Sequence, residues 1–568
     1  MLLSDIISTS ISLWEEWQSH ALKRPDAEAI VHWTVGEAPF RWKRAELIRA
    51  STRYSQGLRE RGVKPGDVCA IMLKHHPEFY PIYLGVVAIG AIPAVLSYPN
   101  PRLHPDKFRQ GITGMSKTSG LDWLLTGSDL APVVAPLVAE KSSTIRDIFF
   151  PLDWEAPKDA PVPSSENRPV LSPDSTCLLQ HSSGTTGLQK AVALSHRAVL
   201  THIQNYGRAI DLGPEDKVAS WLPLYHDMGL IATFHLPLAF GIPTIMINPF
   251  EWVIAPAILL EAISQEKATL TWLPNFAYNL MTDRIRDEDL AGVRLDSLRA
   301  VINCSEPIRA ESHDKFIRRF SRLGLKRGAL STCYAMAETT FAVTQSEMNK
   351  EARTLAASRE ELARGVFRPA KSHESARACV SSGKMIPGCV GRIVDTDDRE
   401  LPEGQVGDIH IRSASIFDGY RNAPDKTGEV LSDGWYKSGD SGFFFENELY
   451  VIGRKKDMII VAGNNIYPED IEDALTSVPG VTPGRVVAFG ADNAEAGTEQ
   501  ACVIVESPLE DAESKRKLKA AIVRCGMQVD VTISRVYIVP SRWLIKSSAG
   551  KPSRGANRSR ALSELSPS

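Results

Sequence analysis

The 568-residue sequence is poor in several features that would narrow its class at once. Its eight cysteines, at positions 69, 177, 304, 333, 379, 389, 502 and 525, include no Cys-x-x-Cys pair. That argues against a disulfide framework or a zinc site and sets the expectation of a reducing, cytoplasmic environment. The formal net charge is only −3, so neither nucleic acid nor an anionic membrane surface is an expected partner. The first residues carry Asp5, Glu15 and Glu16 and no basic leader before an apolar run, which speaks against a signal peptide. One long uncharged run exists, Phe79 to Pro101, broken by Pro81, Gly85, Gly90 and Pro93. It could be read as a membrane span. The expected reading is a buried helix that turns at Gly90 into the strand Ala94-Val95-Leu96. No internal repeat is visible.

What is present describes a globular protein of more than one domain, with 43% hydrophobic and 23% charged residues. Up to about residue 150, helical and strand-like patterns alternate: Trp42 to Arg61 is helical in spacing, Val68 to Leu73 strand-like, and Val86 to Leu96 continues the rhythm. This is the pattern of a parallel α/β sheet. Pro151 to Pro173, rich in Pro, Ser and Asp, reads as a surface connection. Strand patterns then recur at Val218–Leu222, Gly241–Ile247, Ala268–Leu273, Leu298–Asn303 and Ala329–Cys333. Two α/β halves facing each other would gather the loops after these strands on one cleft. Between Met348 and His373 the pattern weakens around a short helical stretch, Ser358 to Ala363. Ala378 to Ile452 has short, turn-separated strands, expected as a small β subdomain. After Asp457 comes a compact αβ unit to about Pro540, then a basic tail in which Asn557 to Ser568 is expected to be disordered.

The densest chemistry lies in Ser182 to Lys190, Ser-Ser-Gly-Thr-Thr-Gly-Leu-Gln-Lys, between the strand patterns Thr176–Gln180 and Ala191–Leu194, with Ser195 as a helix N-cap. Its glycines let backbone N–H groups converge on an anionic oxygen. The hydroxyls of Ser182, Ser183, Thr185 and Thr186 add donors and Lys190 a mobile charge. It is not a Walker A loop, which would need Gly-Lys followed by Ser or Thr at a helix entry. A phosphate cradle is the functional reading, and a solvated hairpin turn is the plain one. The stretch resembles the phosphate-binding signature of the adenylate-forming superfamily of acyl-CoA synthetases, luciferases and peptide-synthetase adenylation domains, with Gln189 where the family usually has proline.

Further motifs follow in that family's order, and the resemblance covers about residues 10 to 558. Trp221-Leu-Pro-Leu-Tyr-His226-Asp-Met-Gly229-Leu is particularly similar to the fatty acyl-AMP ligases. The resemblance puts His226 beside the substrate carboxylate and makes Trp221, Tyr225 and Met228 pocket residues, although a histidine among aromatics is often simply core. Pro274-Asn275-Phe276-Ala-Tyr278 resembles the stretch bordering the acyl tunnel, implying Asn275 and Phe276 as lining, while the aromatics could equally be core. An apolar tunnel suits a long chain, at about 0.8 kcal/mol per buried methylene. Asn303-Cys-Ser305-Glu306 looks like the adenine-side loop, or an ordinary strand-to-helix turn. In Tyr334-Ala335-Met-Ala-Glu338-Thr-Thr, the family uses the aromatic to stack adenine and the glutamate to hold Mg²⁺, with glycine usual at the place of Ala335. A helix N-terminal acid is the plain reading of Glu338. Thr186 is implied as a second metal ligand.

Asp440, in Tyr436-Lys-Ser-Gly-Asp, is implied to accept the ribose hydroxyls with Arg454 assisting, and Lys456 matches the hinge about which a small domain rotates. Asp440 alone could be a surface turn. Gly463 to Glu472 reads as scaffold, with Pro468 near the first turn of a helix. Trp543-Leu-Ile-Lys546-Ser-Ser-Ala-Gly550-Lys551 is similar to the catalytic lysine loop, or is tail charge.

The resemblance thus implies an α/β fold: a large N-terminal domain, residues 1–455, of two α/β subdomains plus a small β subdomain, followed by a small mobile α+β domain, 456–568. It implies ATP and Mg²⁺ as cofactors, with Lys551, His226 and Lys190 catalytic and Ser182, Ser183, Gly184, Thr185, Thr186, Gly187, Ser305, Glu306, Tyr334, Ala335, Asp440 and Arg454 at the nucleotide. A fatty acid and ATP would give acyl-adenylate and pyrophosphate. The segment from Met348 to Ala378 looks like the insertion by which fatty acyl-AMP ligases disfavour CoA, or is a solvated loop. The expected acceptor is therefore the phosphopantetheine arm of an acyl carrier protein, in polyketide, lipopeptide or related lipid biosynthesis. A medium- or long-chain acyl-CoA ligase is the alternative, and a degenerate acyl- or nucleotide-binding scaffold a third reading.

Overall fold

The computed structural model describes residues 12–99, 104–154, 171–181, 190–461, 464–493, 498–546 and 552–565. Two large sheets form the body. One runs, edge to edge, Gly419–Tyr420, Ala191–Ser195, Thr176–His181, Ile92–Val95, Val68–Met72, Trp123–Thr126 and Asp147–Phe149. The other has nine strands, with a parallel centre of Ala300–Asn303, Leu270–Leu273, Val218–Ser220 and Thr244–Ile247. Parallel strands covered on both faces need continuous apolar runs, and Val68–Met72, Leu270–Leu273 and Ala300–Asn303 are buried throughout. A single apolar core joins both sheets.

The uncharged run resolves as expected. Helix Phe79–Ala88 is buried along its whole length, Gly90 turns the chain at φ +75°, and strand Ile92–Val95 follows. Ser195 caps helix His196–Ala209 by accepting from the Ala198 N–H at 3.2 Å. Among the described residues, no helix is long and apolar enough to cross a membrane. All eight cysteines are free thiols.

A five-stranded antiparallel sheet, Cys389–Val394, Gly407–Ser413, Trp435–Phe445, Glu448–Arg454 and Leu431–Ser432, follows the body. It ends at Arg454. From Ile459 onward the chain builds a separate core around strands Val486–Asn493, Thr498–Glu506 and Ile533–Val539 and helices Pro468–Thr476 and Ala512–Gln528. The fold is thus the α/β architecture expected.

Three details differ from the sequence reading. Strands Glu28–Trp33 and Phe40–Lys43, from the first stretch of chain, belong to the second sheet, where Ile30 to Trp33 pair with Thr244 to Ile247. The weakly patterned segment holds a strand, Thr354–Ser358, which pairs with Ala376–Val380 around helix Arg359–Ala363. The tail expected to be disordered forms helix Arg554–Glu564. That helix buries Ala561 against Val487 and Phe489, and its buried Asn557 donates to the carbonyls of Ile545 and Ser553, each at 2.8 Å. A sequence with only two inward positions has too little apolar signal to announce a helix.

Candidate active site

The loops after the carboxyl ends of the parallel strands converge, where open α/β sheets place ligands. On one side, Asp440 and Arg454 are register partners across strands Trp435–Phe445 and Glu448–Arg454. Arg454 Nε lies 3.4 Å from Asp440 Oδ1, and the Tyr334 hydroxyl donates to Asp440 Oδ2 at 2.6 Å. Burial and the Asp440 charge push the Tyr334 phenol far up, so it stays a donor. An aromatic face, a carboxylate and a guanidinium therefore meet at one point, suited to a planar base and its vicinal hydroxyls. Ala335 sits at a bulge opposite Ala342 and outside the left-handed region, so its methyl group meets no backbone strain. The strained residues are Ser305 (φ +68°) and Thr340 (φ +71°), on the two loops that flank this point.

Beside it lies a buried carboxylate. Glu338, 9% exposed, accepts from the Tyr420 hydroxyl at 2.7 Å. Its carboxyl is raised, chiefly by burial, while Tyr420 pulls it back down. Tyr420 stands here because its two-residue strand pairs with Ala191–Ser195, which also sets Lys190 Nζ 4.3 Å over the Tyr420 ring. Cation, ring and carboxylate thus form one line from the end of the cradle segment. Among the described residues there is no group of three or more His, Cys, Asp or Glu placed to hold a metal ion by themselves. A single carboxylate whose charge is disfavoured by burial fits a hard divalent ion that takes its other oxygens from phosphate and water. The cradle residues Ser182, Ser183, Gly184, Thr185, Thr186 and Gly187 lie outside the described residues; the flanking His181 and Lys190 are described.

The loop after strand Val218–Ser220 carries aromatic side chains beside a histidine and an aspartate. Trp221 opens the loop that leads to Tyr225 and His226. The Gln180 amide donates to the Tyr225 carbonyl at 2.7 Å, tying this loop to the strand before the cradle. His226 Nδ1 lies 2.7 Å from Asp227 Oδ1, and Asp227 accepts from the Met228 N–H at 2.8 Å. The chain then enters a π-helix, Met228–His235, a form that recurs at functional sites. Gly229 is required there, because a Cβ would sit 2.3 Å from the Pro223 carbonyl oxygen. Ser305 Oγ is 3.8 Å from Met228 Sδ, so the base-side and apolar loops touch. Asn275 spends its amide on scaffold: Oδ1 accepts from Asn303 Nδ2 and the Arg309 N–H, and Nδ2 donates to Ser312 Oγ. Glu306 accepts from the Phe276 N–H at 2.9 Å and so seats Phe276 at the start of helix Asn275–Arg284.

The small C-terminal body closes over this edge. Arg377 and Arg359, from the hairpin segment, and Arg309 surround Asp470 at 3.0, 3.5 and 4.0 Å. Arg309 also donates to the Glu469 carbonyl at 3.0 Å. Burial, then Arg454, lowers the Lys456 ammonium. Lys551 lies outside the described residues, but the segment's two stems are held. Lys546 and Pro552 form an antiparallel bridge, and Asn557 accepts from the Ile545 N–H at 2.8 Å. Arg554 binds Asp457 at 2.6 Å and Glu472 at 2.9 Å, joining this stem to the chain just past Lys456. Burial, then the Arg485 charge, lowers the Lys546 ammonium.

The structure therefore brings together Tyr334, Asp440 and Arg454, sets Lys190, Tyr420 and Glu338 in contact with one another, and carries Tyr225, His226 and Phe276 on neighbouring loops, with Trp221 and Met228 in the buried core. Sequence reasoning missed Tyr420, Trp252 and the arginines around Asp470. A two-residue strand carries no period, and nothing local marks Trp252.

The AMP-binding enzyme family matches residues 17–421. Among curated proteins, a putative acyl-CoA synthetase of Caulobacter vibrioides is 28% identical over 498 residues, covering 87% of this chain and 85% of its own. A long-chain-fatty-acid–AMP ligase, FadD26 of Mycobacterium marinum, is 28% identical over 524 residues, covering 87% and 86%. A solved structure from work on fatty acyl-adenylate ligases of E. coli and L. pneumophila superposes with a TM-score of 0.88 over 97% of both chains at 24% identity, a likeness of fold. The family match spans both large sheets and every loop of the body from Trp221 to Tyr420, and on it this chain belongs to the AMP-binding enzyme family.

Proposed function

We propose that the protein is a fatty acyl-AMP ligase: it activates a fatty acid with ATP to acyl-adenylate and pyrophosphate, and passes the acyl group to the phosphopantetheine arm of an acyl carrier protein in the cytoplasm. The observations that carry this are the Lys190–Tyr420–Glu338 contacts and the Tyr334–Asp440–Arg454 cluster, together with the aromatic stack on the loops after neighbouring strands. One side suits a nucleotide triphosphate, the other an alkyl chain.

In the reaction, a carboxylate oxygen of the acid bonds to the α-phosphorus and the bond to the bridging oxygen breaks. Pyrophosphate leaves with the electron pair, and no net proton moves. Tyr334 and Asp440 hold base and ribose, and His226 faces the carboxylate of the acid. Lys190 and the cradle hydroxyls hold the β and γ phosphates, and Lys551 steadies charge at the α-phosphate. Two anions react, so placement and charge stabilisation carry the catalysis. Magnesium, held by Glu338 and Thr186, would supply charge neutralisation at the phosphates.

The choice of a carrier protein rests on the segment from Met348 to Ala378: its Arg359 and Arg377 engage Asp470 of the C-terminal body, opposing the rotation about Lys456 that a CoA-using cycle needs. The relative named as an acyl-CoA synthetase favours the second reading, a medium- or long-chain CoA ligase. Incubation with ATP, Mg²⁺ and a series of fatty acids, alone, with CoA and with a holo acyl carrier protein, tests both by mass spectrometry. Acyl-AMP alone and acyl-carrier product with the third mixture are expected. Acyl-CoA would support the second reading. Neither adenylate nor pyrophosphate with any acid would leave only a binding scaffold.

A further inference from the structure

Three neighbouring strands of the nine-stranded sheet each deliver one aromatic ring beyond their carboxyl ends. Leu270–Leu273 leads to Phe276, Val218–Ser220 to Trp221, and Thr244–Ile247 to Trp252 on helix Pro249–Ile254. The Trp221 and Trp252 rings lie face to face, 3.6 Å between centroids and 4° from parallel. Phe276 presents an edge to both, at 6.1 and 6.2 Å. The cluster has an inner and an outer end: Trp252 is 0% exposed and Phe276 is 40% exposed. Helix Pro249–Ile254 turns Trp252 inward, with Asn248 capping it by accepting from the Phe250 N–H, while Phe250 and Ile254 face outward.

We propose that Trp252 is the stop of the acyl pocket and sets the longest acid the enzyme adenylates. This rests on the ligase reading above. Rings 3.6 Å apart are already in van der Waals contact and admit no methylene between them. A chain entering past Phe276 and running along Trp221 therefore meets the Trp252 ring as a wall. Among the described residues, neither indole N–H of the pair has a hydrogen-bond acceptor. The stack is held by contact alone and acts as shape rather than as a polar anchor. Removing the inner ring opens depth behind Trp221 without touching Tyr334, Glu338 or Lys190.

The test is the chain-length profile of kcat/KM for acyl-AMP formation in wild type, W252A and W252F, over saturated acids in two-carbon steps. Each methylene newly taken into apolar contact is worth about fourfold. Four methylenes of new depth therefore raise the preference for the longer acid over the wild-type optimum by about 250-fold in W252A, and W252F shifts in the same direction by less. A merely structural tryptophan would lower all acids alike. Both variants keeping the wild-type rank order, whatever their overall rate, overturns the inference and leaves the ligase reading standing. If W252A does not fold, W252F decides by the same ratio. Wild type forming acyl-AMP with no acid of any length removes the ligase reading, and this inference with it.

Discussion

Replacing Tyr420 by phenylalanine deletes one oxygen and leaves the ring under Lys190 in place. The lost oxygen donates at 2.7 Å to Glu338, whose carboxyl is raised by burial and drawn back down by this bond. A hydrogen bond to a charged, buried acceptor contributes about 1.5–3 kcal/mol, or about 10- to 150-fold in an equilibrium constant. In Y420F the Glu338 carboxylate should therefore be easier to protonate, and through that competition kcat/KM for Mg-ATP should fall on the acid side by up to about that factor. The sign in pH follows. A carboxyl that is easier to protonate loses its charge at a higher pH, so the acid limb of kcat/KM moves upward. Pyrophosphate release measured against Mg-ATP concentration and pH, with one fatty acid held saturating, reads both effects. Because the cation–ring contact survives in Y420F, Y420A should lose more. Unchanged kcat/KM with an unmoved acid limb, in a setting where E338Q is inactive, would refute the coupling of Tyr420 to the carboxylate proposed to hold the metal.

K551A should lower acyl-AMP formation by at least about 10²-fold, the scale for one preorganised donor, and unchanged pyrophosphate release would contradict the assignment. D470A leaves Arg309, Arg359 and Arg377 around an empty centre. It should cost about 3 kcal/mol of docking between the bodies and speed tryptic cleavage at Arg454-Lys455-Lys456, visible as a discrete fragment pair on a gel. Burial raises the Glu472 carboxyl above its ordinary range, against the pull of Arg554. Its proton-linked stabilisation is complete below the unfolded value and disappears as pH climbs through the raised folded one. Thermal scans from about pH 5 to about pH 8 should show wild type losing stability relative to E472Q as pH rises.

The sites most legible in the sequence were those whose partners are close along the chain or fixed by a strand end. Asp440 and Arg454 are read together because one hairpin makes them register partners. His226, Phe276, Glu306 and Glu338 each follow a largely buried strand, and strand ends are where loops gather. The illegible parts depend on distant partners. Arg377 looks like solvated charge, yet its side chain is only 10% exposed, because Asp470 lies against it from another body of the protein. Tyr420 borrows its role from the neighbouring strand Ala191–Ser195, which carries Lys190 at its entry. The tail helix buries only Asn557 and a single alanine, a burial pattern that no hydrophobic period announces, and its Arg554 is anchored by the distant Asp457 and Glu472.

The membership of Glu28–Trp33 in the second sheet has a bearing on biosynthesis. This segment leaves the ribosome early, but its parallel partner, Thr244–Ile247, is translated some two hundred residues later. At about 5–20 residues per second the wait is about 10–40 seconds. Ile30 and Val31, fully buried in the finished protein, have only the short neighbouring strand Phe40–Lys43 to pair with through that interval. The other edge of this hairpin therefore stays open, or is covered by transient collapse onto the growing chain, until Thr244–Ile247 arrives to join it to the nine-stranded sheet.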